Sequence, residues 1–303
     1  MSVRELVVLG TASQAPTRHR NHNGYLLRWD GEAILFDPGE GTQRQFTFAE
    51  VSAASVTQIC ITHFHGDHCL GLPGMIMRLS LDQGNLPVPI HYPAAGEQYF
   101  QRLRSASAGQ DEVPVDGRPV IRPGVIHEGE AFTISAARLS HSVESIGYRL
   151  DEPAGRHLVP ELLDALGVEG RDIGTLQHEG RLEFDGRTVH VDEVSVPRAG
   201  QSVAFIMDTR WCDGALELAD GADLVVCEST FLARDERLAT EYGHMTAQQA
   251  GRLAREAGAR RLVLGHFSRR YADPAAFADE AGAEFDDVVV AEDLQRIPVP
   301  PRC

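Results

Sequence analysis

The sequence predicts an α/β fold in which short strands alternate with helices. Two observations support this: short apolar runs typical of strands recur along the chain, and segments with helical apolar spacing separate several of them. A third observation is that five apolar runs end at, or just before, an acidic residue or a histidine. Catalytic side chains collect at such an edge, because rigid strands there end in adaptable loops. These residues are Asp37, His63, Asp208, Glu228 and His266.

The first third of the chain is predicted to be mainly strand. The run LVVLG at 6–10 ends in glycine, and residues 24–39 hold two apolar runs around an Asp-Gly pair, a strong hairpin signal. The next strand, VTQICITH at 56–63, ends in a histidine cluster. The segment MIMRLSL at 75–81 has near-helical spacing and predicts a helix packed on the sheet.

The remaining elements are predicted in the same way. The middle predicts a strand at 88–93, a helix at 94–107, and strand, loop and strand at 130–150 with His141 in the loop. In the last third, SVAFIMD, ADLVVCEST and RRLVLGHF predict strands, and a T-x-x-Q capping box at Thr246 begins a helix.

Length and composition allow one large domain. Hydrophobic residues make up 43% of the 303 residues, which is enough for a sizeable core. Residues 151–200 differ from the rest, because they are polar and dotted with glycines. We therefore expect a single domain over 1–303, with 151–200 as an inserted or projecting arm.

The charge balance limits the partners. The formal net charge is -16, and all 28 basic residues are arginines. Such a surface argues against loose electrostatic binding to nucleic acids or anionic membranes, but it permits RNA at a local arginine-lined mouth. The five cysteines are scattered, which suits a reducing compartment. Because the N-terminus resembles a first strand and no apolar stretch approaches the ~20 residues of a membrane span, a cytoplasmic protein is expected.

The segment ITHFHGDH places three histidines and an aspartate within six residues, after a predicted strand. Zinc favours imidazole and carboxylate ligands. His63 and His65 alternate on an extended segment and can point the same way, while Asp67 and His68 follow a tight turn that glycine permits. We expect the first pair to hold one metal ion and the second pair another. The alternative is a hydrogen-bonded polar loop.

Each ion needs further ligands from elsewhere. His141, Asp208 and His266 are candidates, because they stand at predicted strand ends or in adjoining loops. A carboxylate such as Asp208 can bridge two ions, and ions about 3.5–4 Å apart can hold a shared hydroxide and clamp a phosphate. From the residues alone, an ordinary polar-loop role for these three is equally open.

Further motifs lie between Leu6 and about Tyr271. HFHGDH is accompanied by LGTASQAPTRHRN and FDPGEGTQRQ before it, and by CESTF, GHMT and GHFSRRY after it. HFHGDH resembles the signature of the metallo-β-lactamase superfamily. The joint pattern resembles ribonuclease Z, the endonuclease family that removes 3′ trailers from precursor tRNA. The likeness covers most of the chain and is weakest in the middle.

This resemblance implies a four-layer αβ/βα sandwich of the metallo-β-lactamase type, with two Zn²⁺ per subunit at one edge. It also implies a homodimer, because family members often grip tRNA across a dimer with an arm in the place of residues 151–200. The implied ligands are His63, His65 and His141 for the first zinc, Asp67, His68 and His266 for the second, and Asp208 as the bridge.

The resemblance also implies catalytic roles. Asp67 would orient the attacking water and accept its proton. His244, just before a helix, would donate a proton to the departing 3′-oxygen of the tRNA, and Glu228 would set its orientation and pKa. From the residues alone, a histidine at the start of a helix and a solvated carboxylate are the simpler interpretations of these two.

Substrate contacts are expected from the loop PTRHRN. Arg18, Arg20 and Asn21 would meet acceptor-stem phosphates, because arginine forks suit paired oxygens. Arg18 stands where the family usually has lysine, which keeps the charge and alters the geometry. Arg269 and Arg270 are weaker candidates of the same kind. A solvated basic loop is the alternative.

Three classes of function compete. The first is a dizinc endoribonuclease that acts on precursor tRNA and leaves a 3′-hydroxyl. The second is a phosphodiesterase of the same fold that acts on small diesters or cyclic nucleotides, which the non-basic arm favours. The third is a metal-stabilised binding module, which is disfavoured because a structural zinc site would be closed.

Overall fold

The computed structural model describes residues 3–82, 87–108 and 113–302. The chain separates into two compact units, one made of residues up to Leu150 and from Ser202 to Pro301, and the other made mainly of Asp151–Gln201. Cys303, one of the five cysteines, lies outside the described residues. None of the helices in the described ranges is long and apolar enough to cross a membrane.

The first sheet of the larger unit has seven strands. They are β1 (Arg4–Gly10), β2 (Gly24–Trp29), β3 (Glu32–Phe36), β4 (Gln58–Cys60), β5 (Val88–Pro93), β6 (Val115–Val120) and β18 (Arg296–Pro298). Their spatial order is β18-β1-β2-β3-β4-β5-β6. The pairs from β18 to β3 are antiparallel and those from β3 to β6 are parallel, so β3 and β4 end at the same edge.

The second sheet of this unit also has seven strands. They are β7 (Gly124–Glu128), β8 (Thr133–Leu139), β9 (Ser145–Asp151), β14 (Ser202–Ile206), β15 (Leu224–Glu228), β16 (Leu262–Gly265) and β17 (Val288–Val290). The order is β17-β16-β15-β14-β9-β8-β7. Strands β14 to β17 pair in parallel, so their carboxyl ends share one edge.

Helices cover the outer face of each sheet. Those that follow strands of the first sheet are α1 (Thr42–Phe48), α2 (Gly66–Cys69), α3 (Leu72–Leu81) and α4 (Glu97–Arg104). Those of the second sheet are α7 (Asp213–Ala219), α8 (Glu236–Tyr242), α9 (Ala247–Glu256) and α10 (Ala275–Gly282). The Thr246–Gln249 capping box begins α9, as predicted: the Thr246 hydroxyl accepts from Gln249 N at 3.1 Å, and the glutamine side chain accepts from Thr246 N at 3.0 Å.

Three apolar cores hold these layers together. The core between the sheets takes side chains from both, and Phe36 of β3 stacks on Phe205 of β14 with ring centroids 4.5 Å apart. One outer core joins the first sheet to α1, α3 and α4, and another joins the second sheet to α7, α9 and α10. The result is the four-layer αβ/βα sandwich, and the predicted fold class is confirmed.

The smaller unit has its own core and secondary structure. Its elements are β10 (Gly155–Leu158), α5 (Pro160–Leu166), α6 (Arg171–Glu179), β11 (Arg181–Phe184), β12 (Arg187–His190) and β13 (Ser195–Arg198). The strands form two antiparallel pairs, β10 with β13 and β11 with β12. Leu163, Val168, Leu176 and Val189 are buried in its core. Sequence patterning predicted α5 but only weak alternation from residue 169 onward, where α6 and a hairpin form.

Candidate metal centre

The site is assembled from strand ends of both sheets of the larger unit. Asp37 directly follows β3, Asp208 lies two residues beyond β14, and His266 directly follows β16. All three have positive φ, at 44°, 45° and 61° respectively. Such a conformation is uncommon for residues other than glycine and is found where the surrounding structure enforces it, often at functional sites. Each strand therefore stops abruptly and turns a polar side chain towards the edge.

The first group of donor atoms comes from three histidines. His63 Nε2 lies 3.0 Å from His65 Nδ1, which in turn lies 3.2 Å from His141 Nε2. Oδ2 of Asp208 lies 3.5 Å from His63 Nε2 and 3.6 Å from His141 Nε2. Nitrogen atoms this close to each other and to a carboxylate form a cluster that could bind a metal ion.

The second group lies on the other side of the same aspartate. His68 Nε2 and His266 Nε2 are 3.1 Å apart, and Asp67 Oδ2 lies 3.5 Å and 3.3 Å from them. Oδ1 of Asp208 is 3.3 Å from His68 Nε2 and 3.1 Å from His266 Nε2. These side chains form a second cluster able to bind a metal ion.

Asp208 joins the two groups, because each of its carboxylate oxygens faces one of them. Its side chain is almost fully buried, and Oδ1 has no hydrogen-bond partner among the described residues. A buried carboxylate oxygen without a partner is costly, so a cation beside it fits the site. The donor set is imidazole and carboxylate, the set that suits zinc in catalytic sites.

Two similar relays fix the orientation of a histidine on each sheet. His63 Nδ1 lies 3.0 Å from Thr62 Oγ1, which donates to Asp37 Oδ2 at 2.8 Å. His266 Nδ1 lies 2.8 Å from Thr230 Oγ1, which donates to Glu228 Oε2 at 2.6 Å. With the proton on Nδ1, Nε2 of each ring is left free to bind a metal.

The other two Nε2 donors are oriented directly. His68 Nδ1 donates to Asp37 Oδ2 at 2.8 Å, and His141 Nδ1 donates to the carbonyl oxygen of Gly243 at 2.8 Å. Since both acceptors can only accept, each ring carries a proton on Nδ1, and Nε2 is the atom that faces the donor group. Asp37, a strand-end residue singled out from the sequence, thus supports the site without joining either donor group.

Glu228 connects the metal centre to His244. Oε1 of this fully buried carboxylate lies 3.0 Å from His244 Nδ1 and accepts from Thr209 N at 2.6 Å. Its other oxygen receives the Thr230 hydroxyl. The Glu228 carboxylate therefore contacts Thr209, Thr230 and His244. It is buried and hydrogen-bonded, and so it is not a solvated loop carboxylate.

Burial and charge set the protonation of the donors. Burial lowers the pKa of His63, His65 and His141, which favours the neutral rings that metal binding requires. Burial alone would raise the pKa of Asp208, but the positive charges of the surrounding histidines, His266 first, hold it well below its usual range.

The pKa of His244 is shifted in the opposite direction. Burial lowers it, but the carboxylates of Glu228 and Asp208 outweigh burial and raise the pKa of His244 to about 9. The side chain is 13% exposed and faces Glu228 through Nδ1. The two carboxylates therefore favour the protonated form of the His244 ring.

A cleft of about 880 Å³ opens over both donor groups. Besides the donors, its walls carry His244, Phe231, Tyr242, Arg269 and Arg270. Two cationic side chains beside a carboxylate-rich centre suit a substrate with negative charge along its length.

In the predicted substrate loop, Arg20 and Asn21 make hydrogen bonds within the chain, whereas Arg18 is exposed to solvent. The Arg20 guanidinium donates to Thr11 Oγ1 at 2.6 Å and to Ala291 O at 3.1 Å, and it lies over the Phe267 ring. The Asn21 side chain donates to Glu40 O at 3.0 Å. Arg18 is exposed, with no ion pair to any residue in the described ranges.

Sequence patterning missed two residues that orient the histidines of the site. Thr230 lies in the segment CESTF, two residues after the strand-end residue Glu228. That spacing is the signal from which its contact with Glu228 could have been predicted. Gly243 directly precedes His244 and has φ 85°, a conformation that favours glycine. Its carbonyl orients His141, and a β-carbon at this position would lie 2.8 Å from His141 Nδ1.

Gly243→Ala is expected to weaken catalysis by about 10- to 100-fold, the usual effect of disturbing a partner that orients a metal ligand. Gly258→Ala is a matched control, because Gly258 also has positive φ, at 64°, but its β-carbon would meet nothing within 4 Å. The positive φ should cost each variant ~1 kcal/mol of stability, and the overlap with His141 adds to this cost only at Gly243. Equal turnover by the two variants would contradict the role assigned to the Gly243 carbonyl.

Comparison with known proteins agrees with this architecture. A sequence model described as the metallo-beta-lactamase superfamily matches residues 17–206. The ribonuclease Z of Nocardia farcinica is 59% identical, and that of Streptomyces avermitilis 56% identical, each over 100% of both chains. The crystal structure of human tRNase Z, short form, has a TM-score of 0.71 and 25% identity, covering 98% of this chain and 100% of that one.

The fold and the clustered donors thus define a metal-dependent hydrolase of the metallo-β-lactamase superfamily. Within that superfamily, the chain belongs to the ribonuclease Z family. The family resemblance drawn from the sequence is confirmed, and so is the prediction of a hydrolase.

Proposed function

We propose that this chain removes the 3′ trailer from precursor tRNA by endonucleolytic hydrolysis, leaving a 3′-hydroxyl on the tRNA. The observation that supports this most is the pair of donor groups joined by Asp208 at the floor of a cleft with Arg269, Arg270 and His244 on its walls. The names of the relatives, ribonuclease Z and tRNase Z, point to the same substrate.

The proposed cofactor is two Zn²⁺ per subunit. When bound, the two ions would lower the pKa of a water molecule and neutralise charge on the phosphoryl oxygens. The proposed ligands are His63, His65 and His141 for one ion, Asp67, His68 and His266 for the other, and Asp208 for both.

Asp67 is proposed to handle the attacking water. Its Oδ2 belongs to the second donor group, at 3.3 Å from His266 Nε2. Its Oδ1 makes no hydrogen bond to any other residue in the described part of the chain, so it is available to orient a water molecule and accept its proton. Burial would raise the pKa of Asp67, but the adjacent His68 and His266 hold it well below its usual range, which keeps the group ionised.

His244 is proposed to give a proton to the departing 3′-oxygen. The ring lines the cleft, and its Nδ1 lies 4.0 Å from Asp208 Oδ2. Glu228 is proposed to position it, because the hydrogen bond at Nδ1 leaves Nε2 as the proton-bearing atom that can face the substrate.

The substrate contacts are proposed to differ in kind. Arg18 is exposed, and Arg269 and Arg270 line the cleft, so these three can approach phosphates. Arg20 and Asn21 are proposed to act mainly by shaping the loop that carries Arg18, since Arg20 Nη1 and Asn21 Nδ2 already donate hydrogen bonds within the chain. A homodimer in the cytoplasm, with residues 151–200 as an arm, completes the proposal.

The test is cleavage of a 5′-labelled precursor tRNA that carries a 3′ trailer, beside bis(p-nitrophenyl) phosphate. We expect one shortened product ending in a 3′-hydroxyl, detected by its extension with a poly(A) polymerase, and a trailer with a 5′-phosphate. A precursor that cannot fold, because its acceptor stem is mismatched, is the control substrate and should be cleaved poorly.

Cleavage of the small diester alone would refute the tRNA proposal and favour the second candidate, a phosphodiesterase for small diesters. That candidate is kept because residues 151–201 contain eleven acidic residues against five arginines. Such a segment is a poor clamp for phosphates.

A further inference from the structure

Tyr242 presents an exposed aromatic ring to the cleft. It is the last residue of α8, its side chain is 54% exposed, and it lines the same cleft as the donor groups. Its hydroxyl has no hydrogen bond to any residue in the described ranges. Packing within the chain therefore does not account for this side chain, and an exposed ring inside a cleft points to a ligand.

The ring stands on a rigid support. Phe231, which is only 4% exposed, lies beneath it with the two rings 14° from parallel and their centroids 6.5 Å apart. The guanidinium of Arg270 lies over the Phe231 ring at 5.1 Å. An aromatic face beside an arginine is the combination that binds single-stranded nucleic acid, because the ring stacks on a base while the cation meets the phosphate.

We propose that Tyr242 stacks on the base of the nucleotide that carries the departing 3′-oxygen. This inference rests on the proposed function. The nucleotide whose oxygen takes the His244 proton must lie against that ring, and Tyr242 stands two residues before it on the same wall, linked through Phe231, whose ring centroid is 5.9 Å from that of His244. Every base has a flat face, so this contact works whatever base the tRNA carries there.

The first part of the test compares Tyr242→Ala with Tyr242→Phe on the same precursor tRNA. Loss of the ring is expected to lower kcat/KM by about 10-fold, within the range reported for base–aromatic stacking. Tyr242→Phe keeps the stacking face and is expected to stay within ~2-fold of the unchanged enzyme. The loss should fall mainly on KM, because the ring binds the substrate and takes no part in the chemical step.

The second part of the test removes the base on which Tyr242 is proposed to stack. A precursor that lacks the base of the nucleotide just 5′ of the scissile phosphate should be cleaved about 10-fold less efficiently by the unchanged enzyme. For Tyr242→Ala, kcat/KM on this abasic precursor should lie within ~2-fold of its value on the intact precursor. The variant has no ring to stack on the base, so removing the base costs it nothing further. A precursor abasic at the first trailer nucleotide is the matched control and should show no such coupling.

The outcomes are separable. Equal kcat/KM for Tyr242→Ala and the unchanged enzyme would overturn the inference. So would additive losses in the abasic comparison, or coupling only at the trailer nucleotide. Failure of the unchanged enzyme to cleave any precursor tRNA would instead reject the proposed function, and with it the contact that rests on that function.

Discussion

His244→Ala is expected to keep its metal content and to cleave precursor tRNA about 10²- to 10⁴-fold more slowly, the usual contribution of a positioned acid or base. The ring lines the cleft, and its Nδ1 lies 4.0 Å from Asp208 Oδ2. Because His244 belongs to neither of the two donor groups described above, its removal leaves both groups in place. Zinc content measured by mass spectrometry, together with single-turnover cleavage, checks both parts.

A comparison of two substrates with different leaving groups distinguishes a general acid from a residue with only a structural role. A ribose 3′-oxygen is a strong base and needs a proton as it departs, whereas p-nitrophenolate is a weak base and departs without one. His244→Ala should therefore lose much less activity on bis(p-nitrophenyl) phosphate than on precursor tRNA. An equal loss on both substrates would remove His244 from the acid role.

Glu228 should act partly through His244. Glu228→Gln keeps the size of the side chain but removes the charge that faces His244 Nδ1 at 3.0 Å. Because Glu228 also accepts from Thr209 N and the Thr230 hydroxyl, the double variant should lose more than His244→Ala alone, but less than the product of the two single losses. Gln248→Ala, which changes an exposed side chain of α9 outside the cleft lining, is the control and should leave cleavage unchanged.

Asp208→Asn is the second large effect expected, and it falls on metal binding. Each carboxylate oxygen of Asp208 faces one donor group, at 3.5 Å from His63 Nε2 and 3.1 Å from His266 Nε2. An amide would place N–H donors against one of these groups and would remove the shared negative charge. Since changes at residues that only orient ligands cost about 10- to 100-fold in affinity, we expect a loss of at least ~100-fold here, with activity falling accordingly.

Thermal unfolding gives a readout that does not depend on turnover. Ligands that bind only the folded state raise Tm with concentration. Added Zn²⁺ should therefore raise the Tm of the metal-stripped chain, and of Asp279→Asn, which changes an exposed aspartate on α10. Asp208→Asn should show a much smaller rise over the same zinc range, and a normal rise would contradict its place between the two groups.

Local sequence determined several elements because their physical causes are local. The Asp30-Gly31 pair makes the turn between β2 and β3, where Asp30 has φ 56°. The Thr246 capping box determines where α9 begins. By contrast, the short helices α7 and α10 were not predicted, because their stability comes from apolar contacts with the second sheet and its neighbouring helices more than from propensity.

The candidate metal ligands likewise fall into two sets: those that local sequence predicts and those whose role it leaves open. Between His63 and His68 the spacing by itself indicates metal binding, because the four side chains leave a strand end and a tight turn within a few residues. His141, Asp208 and His266 are far apart in sequence. Their positions at strand ends or, for His141, in an adjoining loop could be predicted, but the residues alone left their ligand role open, and the family resemblance supplied it.

Local periodicity and turn chemistry predicted an α/β fold, the histidine cluster and the strand ends at which polar residues stand, whereas the four-layer αβ/βα arrangement was inferred from the family resemblance. Only the tertiary structure decided which strand ends meet: that Asp208 faces both donor groups, that the Gly243 carbonyl orients His141, and that Tyr242 stays exposed. The physical reason is that these arrangements depend on packing between two sheets, and no local pattern encodes the direction of a side chain after long-range packing.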